Sequence, residues 1–129
     1  MLQLNPAQGV EGKVLRLHGN QMPLTGTIKP EPEPVATAVW IFSGQIQNQG
    51  THWPISQACQ HPQWLAYILS NADGSFLIGL PSGEYTLFAQ YDSNLYLNAF
   101  AGPRSYQTVR VSEGHLTKFD LLNTEQAIF

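Results

Sequence analysis

An all-β fold, a single antiparallel sandwich of seven or eight strands, is what this sequence predicts, and three observations carry the prediction. Apolar and aromatic residues alternate with small or polar ones over short runs, which is the period of a strand with one buried face. The runs are separated by turn residues that act through the backbone: Gly in Asp73-Gly74 tolerates positive φ, and Pro81-Ser82-Gly83 combines a preset φ with a second glycine. The length, 129 residues, suits one domain with one core.

In chain order, residues 1–8 read as a flexible lead-in, polar and broken at Pro6. Val10 to Leu17 is a strand with Val10, Gly12 and Val14 on one face. A loop then runs to Pro34, stiffened by the alternate prolines of Lys29-Pro30-Glu31-Pro32-Glu33-Pro34, and reads as a solvated connector. Val35 to Phe42 is apolar on both faces, which predicts a central strand. Residues 43–62 form a long insert without clear period, rich in Gln and Asn, with a short helix expected at Ile55–Gln60 under a Ser56 cap. Trp64 to Ser70 is the next strand and leads into the Asp73-Gly74 turn, followed by the strands on either side of Pro81-Ser82-Gly83. Asn94 to Phe100 favours a strand, and Ala101-Gly102-Pro103-Arg104 breaks it. Tyr106 to Val111 and Leu116 to Leu122 are expected to pair as a hairpin around Gly114, leaving 123–129 as a tail.

Composition narrows the function classes. Only 12% of residues are charged against 43% hydrophobic, so Gln, Asn, Ser, Thr and Gly must carry the surface, a composition that suits an extracytoplasmic domain. Six basic residues are scattered singly in a chain of net charge −3, which offers no footprint for nucleic acid. No apolar run approaches the ~20 residues of a membrane-spanning helix, so no membrane insertion is expected. The segment from Met1 to Pro6 lacks the basic and apolar regions of a secretion signal, which fits either a cytoplasmic protein or one whose signal has been removed.

The pattern Val10-x-Gly12-x-Val14, Ala38-x-Trp40-Ile41, Asp73-Gly74-x-Phe76, Leu80-Pro81-x-Gly83-x-Tyr85-x-Leu87 and Val109-x-Val111-x-x-Gly114-x-x-Thr117 resembles a carboxypeptidase regulatory-like domain. The resemblance covers residues 9–122 and implies a transthyretin-like (prealbumin-type) sandwich of Greek-key, Ig-like architecture. Gly19-Asn20-Gln21-Met22-Pro23 is similar to a Gly-Asn-x-Met-Pro motif of a bacterial subset of such domains, one without an assigned activity. What the resemblance implies is a non-catalytic accessory or stalk domain, with no cofactor, in a periplasmic, cell-surface or secreted bacterial protein. Its peptidase relatives carry their chemistry on a separate zinc domain that has no counterpart here. Independently, Tyr85 is expected to bury its ring and send its hydroxyl to backbone at the sandwich edge.

Candidate chemistry is sparse. His52, Cys59 and His61 lie in the insert, where Cys-x-His would place both side chains on one side of an extended segment and His52 could loop in toward a metal. The competing reading is ordinary loop histidines and a buried thiol. Asn71-x-Asp73-Gly74 has the look of a calcium loop, but EF-hand register would put Leu69 and Leu80 at ligand positions, so it reads as a hairpin turn. Gly-x-Ser-x-Gly is absent around Ser82, and Glu84, Asp92, Glu113 and Asp120 are dispersed. For the aromatics two readings stand. Trp40 and Trp64 fill the core with Trp53 covering one end, or Trp53 with Tyr96 or Tyr106 forms an exposed stacking platform for a glycan or protein partner. A transthyretin-like hydrolase is disfavoured because that family's Tyr-Arg-Gly-Ser ending is replaced by Glu125-Gln126-Ala127-Ile128-Phe129.

Overall fold

The computed structural model of the chain describes residues 8–20, 31–97, 99–102 and 104–128. Residues 1–7 of the lead-in, most of the proline-containing loop and the Gln21-Met22-Pro23 part of the small motif lie outside the described residues. In chain order the described elements are β1 (Gly9–Asn20), β2 (Glu33–Pro34), β3 (Ala38–Ser43), β4 (His52–Pro54), α1 (Ile55–Ala58), β5 (Trp64–Leu69), β6 (Ser75–Gly79), β7 (Gly83–Tyr91), β8 (Asn94–Tyr96), β9 (Val109–Val111), β10 (Leu116–Lys118) and β11 (Leu121–Ile128). They form an all-β sandwich of two packed, antiparallel-rich sheets.

The first sheet is built around β1. On one side β6 and β2 pair with it antiparallel, and on the other β10 and then β11 run parallel to it. Gly9 faces Leu116 and Val14 faces Leu121, so the C-terminal segment follows β1 in one register across the break at Phe119-Asp120. The second sheet has the order β4-β8-β7-β3-β5, with β9 joined to the start of β7.

Two expectations are corrected by this topology. Ser112 to His115 does turn, with the His115 N–H donating to the Ser112 carbonyl at 3.1 Å. It joins no hairpin, however, because β9 pairs with β7 and β10 with β1. The two flanking runs bury their apolar residues in different sheets, Val109 and Val111 in one and Leu121 in the other. The presumed tail is likewise a strand, since β11 continues to Ile128 against β1, and the sandwich is antiparallel only in part.

β3 is central, as its doubly apolar sequence predicts, lying between β5 and β7. Register divides its side chains. Val39 and Ile41 share a face with Leu87 and Ala89, the face that meets β11. Trp40 and Phe42 share the opposite face with Phe88 and Thr86. That second face is covered by the insert and by a small hairpin whose backbone bonds join Ala99 to Gln107 and Ala101 to Ser105. Asn94–Phe100 is therefore a strand only to Tyr96, and Phe100 bridges to Tyr106 instead. Burying each large apolar side chain here contributes about 2–3 kcal/mol, so the insert is part of the core.

Candidate functional site

The aromatics proposed as a platform are buried. Trp53 is 4% exposed, Tyr96 4% and Tyr106 0%. Trp53 lies on β4 opposite Leu95, with its ring 5.2 Å from Phe42 and 5.6 Å from Phe88. Tyr106 meets Phe88 edge-on at 4.8 Å and stacks on Phe100 at 5.5 Å. Tyr96 packs between Tyr91 and His52. Their ring faces are occupied by neighbouring side chains, so a sugar cannot stack on them, and the exposed-platform expectation is withdrawn. Trp40 is buried as the core reading requires, whereas Trp64, stacked on it at 4.8 Å, is only half-buried at the edge of the core.

The insert's His and Cys residues do not converge. Cys59 is exposed at the C-terminal end of α1, its thiol directed to the Ser56 carbonyl at 3.6 Å, which corrects the buried-thiol expectation. His61 packs edge-on against Phe42 and Trp53, and its Nδ1 accepts the Gln63 amide at 3.1 Å. His52 pairs with Glu125 of β11 at 2.5 Å. Among the described residues no three His, Cys, Asp or Glu side chains gather to hold a metal. The reason is local: Cys59 has helical backbone angles, so the same-side rule for extended residues does not apply to Cys-x-His. α1 is also shorter than expected, and Pro54 stands at its N-cap position without a side-chain bond from Ser56.

The turn residues are engaged in backbone work. Asp73 accepts the Ser75 hydroxyl at 2.6 Å and the Ser75 amide at 3.0 Å, and these bonds hold its carboxyl below the usual range. Gly74 has φ +81° and donates to the Asn71 carbonyl. Tyr85 is buried, and its hydroxyl donates to the Pro81 carbonyl at 2.6 Å across the turn that Gly83 closes. Burial pushes its phenol up.

Polar groups also meet between β4, β8 and β11. Besides the His52–Glu125 pair, the Thr124 amide donates to the Tyr96 hydroxyl at 3.4 Å. Burial pushes the Tyr91 phenol up while the Asn123 side chain beside it works the other way, yet the hydroxyl makes no well-aligned hydrogen bond. The cavity there is about 10 Å³, the space of a single water and too small for a substrate. An open groove of about 320 Å³ lies along β1 and β6, lined by Glu11, Lys13, Asn71, Leu77 and Lys118. Its charges are of both signs and all at the surface.

The feature that sequence reasoning missed is on β5. Leu65, Tyr67 and Leu69 alternate along one face of this strand and are 45%, 54% and 71% exposed. The ring of Tyr67 stacks on Trp40 at 5.9 Å, which gives the ridge a rigid backing. β5 is the outermost strand of its sheet and pairs only with β3 among the described strands. Its sequence, Trp-Leu-Ala-Tyr-Ile-Leu, is apolar at both parities, a pattern that normally marks a strand covered on both faces. Contiguous apolar exposure of this kind marks interaction sites more often than single exposed leucines do.

No family model matches the chain, and no curated protein or solved structure matches it. Among the described residues no helix is long and apolar enough to cross a membrane.

Proposed function

We propose that the chain is a non-catalytic structural and interaction module that presents the outer face and open edge of β5 to a partner. The single observation carrying this reading is the ridge Leu65-Tyr67-Leu69, apolar, exposed and at a sheet edge. The polar residues that first suggested chemistry are occupied otherwise: His61 and Asp73 hold backbone, and His52 pairs across the sheets. The resemblance to carboxypeptidase regulatory-like domains supports the same class, an accessory domain of the bacterial envelope or secreted fraction with a transthyretin-like sandwich. The carbohydrate alternative rested on Trp53, Tyr96 and Tyr106 being open to solvent and loses its platform with their burial.

The test is site-specific photo-crosslinking in cells. A photoreactive phenylalanine at Tyr67 or Leu69 is expected to yield discrete covalent adducts. The same group at Glu113, exposed in the turn after β9, serves as the control. Adducts equally abundant at Glu113, or none at the β5 positions, would remove the reading.

A further inference from the structure

We infer that the occupant of the β5 edge is a second copy of this chain, paired antiparallel through Tyr67 about a two-fold axis. The inference rests on the interaction reading and names its partner.

Three features of β5 select an identical copy. First, among the described residues its edge is unpaired and in the correct phase. The Ser70 amide donates to the Thr37 carbonyl at 2.8 Å, so by the alternation of an antiparallel ladder Ile68 also faces β3. The N–H and C=O of Tyr67 and Leu69 then point away from the sheet. Second, the strand is self-complementary about Tyr67. A two-fold axis there sets Tyr67 opposite Tyr67 of the other copy and Leu65 opposite Leu69, so every exposed apolar side chain meets another on the same face. Third, nothing in the strand repels its own image. Trp64–Leu69 contains no charged residue and no proline, the usual devices that keep edges apart. Two competing edges, β4 and β6, lack this combination. β4 carries Pro54 and the His52–Glu125 pair, and β6 has one exposed apolar residue, Leu77, beside the charges of Glu11 and Lys13.

The contact joins two six-stranded sheets into one continuous sheet across the axis. One strand per copy is a small interface, so the dimer is weak and concentration-dependent, with dissociation in the micromolar range.

Sedimentation velocity of the purified chain from low micromolar to near-millimolar concentration tests this directly. A monomer–dimer equilibrium is expected. Tyr67→Lys sets two ammonium groups opposite one another, and Leu69→Lys charges the most exposed position. Each should weaken dimerisation about tenfold or more while the far-UV spectrum is kept. Register is read by disulfide trapping in a Cys59→Ser background. Tyr67→Cys alone should cross-link to itself, because directly opposed, hydrogen-bonded Cα atoms lie about 5.5 Å apart, within disulfide range. Leu65→Cys and Leu69→Cys should cross-link only when mixed.

A chain monomeric throughout, a dimer indifferent to both lysine substitutions, or efficient self-linking through position 65 would each overturn self-pairing. If the purified chain is monomeric while the photoreactive group at Tyr67 captures a different protein in cells, self-pairing falls and the interaction reading stands. A monomer with no adducts removes both.

Discussion

The hydroxyl of Tyr106 donates to the Gly50 carbonyl and accepts the Gln49 amide at 3.0 Å, joining the insert to the small hairpin between Ala99 and Gln107 across 56 residues of chain. Its ring is fully buried against Phe88, so one side chain fills the outer core and also satisfies the backbone of the loop above it. Tyr106→Phe keeps the packing and removes both bonds. Denaturant unfolding should show a loss of about 1–2 kcal/mol, with faster amide exchange confined to residues near 47–50. Unchanged exchange in that segment would mean that the loop is held by other contacts.

Tyr85, Tyr91 and Tyr106 share a second consequence of burial, which raises each phenol above its ordinary value of 10.0. Their neutral forms are favoured in the folded state, so this contribution is complete below pH 10 and declines as pH rises from there through the folded values. Thermal melts should therefore fall on the alkaline side of pH 10. Tyr106→Phe should flatten that decline.

Gly74 is required by both conformation and space. Its φ of +81° is one L-residues rarely adopt, and a Cβ there would stand 2.6 Å from the Val14 carbonyl. Gly74→Ala should cost at least about 2 kcal/mol. Gly12 is required by space alone, since a Cβ would lie 2.0 Å from the Phe119 carbonyl. Gly12→Ala should thus disturb the β1 pairing with β10 and β11, visible as lost amide protection at the C-terminal end.

At the acid end the group to watch is Asp73. Its carboxylate is favoured in the folded state by the Ser75 hydroxyl and amide, so its pKa lies below the ordinary value of 3.8. The stability it contributes is present above that value and is lost as pH falls through the folded one. Asp73→Asn should shallow the acid limb of a stability–pH curve below about pH 4 and leave the neutral region with a nearly constant offset.

The exposed insert groups should be readily accessible and energetically minor. Cys59 should react with a thiol reagent in the folded protein at a rate close to that in denaturant, since its residue is exposed. The His52–Glu125 pair is solvent-facing on both sides, so a double-mutant cycle should return a coupling of at most about 1 kcal/mol. A buried, slowly reacting thiol or a large coupling would contradict this placement.

Much of the fold is legible from local pattern. The turns at Asp73-Gly74 and Pro81–Gly83, the span of β5 and the central position of β3 all follow from turn chemistry and two-residue periodicity. The site was far less legible. Trp53 lies in a Gln- and Asn-rich insert without clear period and Tyr106 reads as the start of a terminal hairpin, yet both are core, because the chain there folds back over Phe42 and Phe88. Leu65, Tyr67 and Leu69 give the reverse case, apolar residues on a strand apolar at both parities that nevertheless lie bare.

By itself the sequence determined most of the extended segments and the turns at Asp73-Gly74 and Pro81–Gly83, since φ restrictions and side-chain alternation act between near neighbours, while β4 and the strand over 123–128 escaped it. Tertiary structure alone decided which strands became partners. It set β10 and β11 parallel to β1, sent β9 and β10 into different sheets, and left β5 outermost. Those choices depend on contacts between residues far apart in the chain, where the preference of any one segment is nearly the same for several neighbours and the packing of the whole core selects among them.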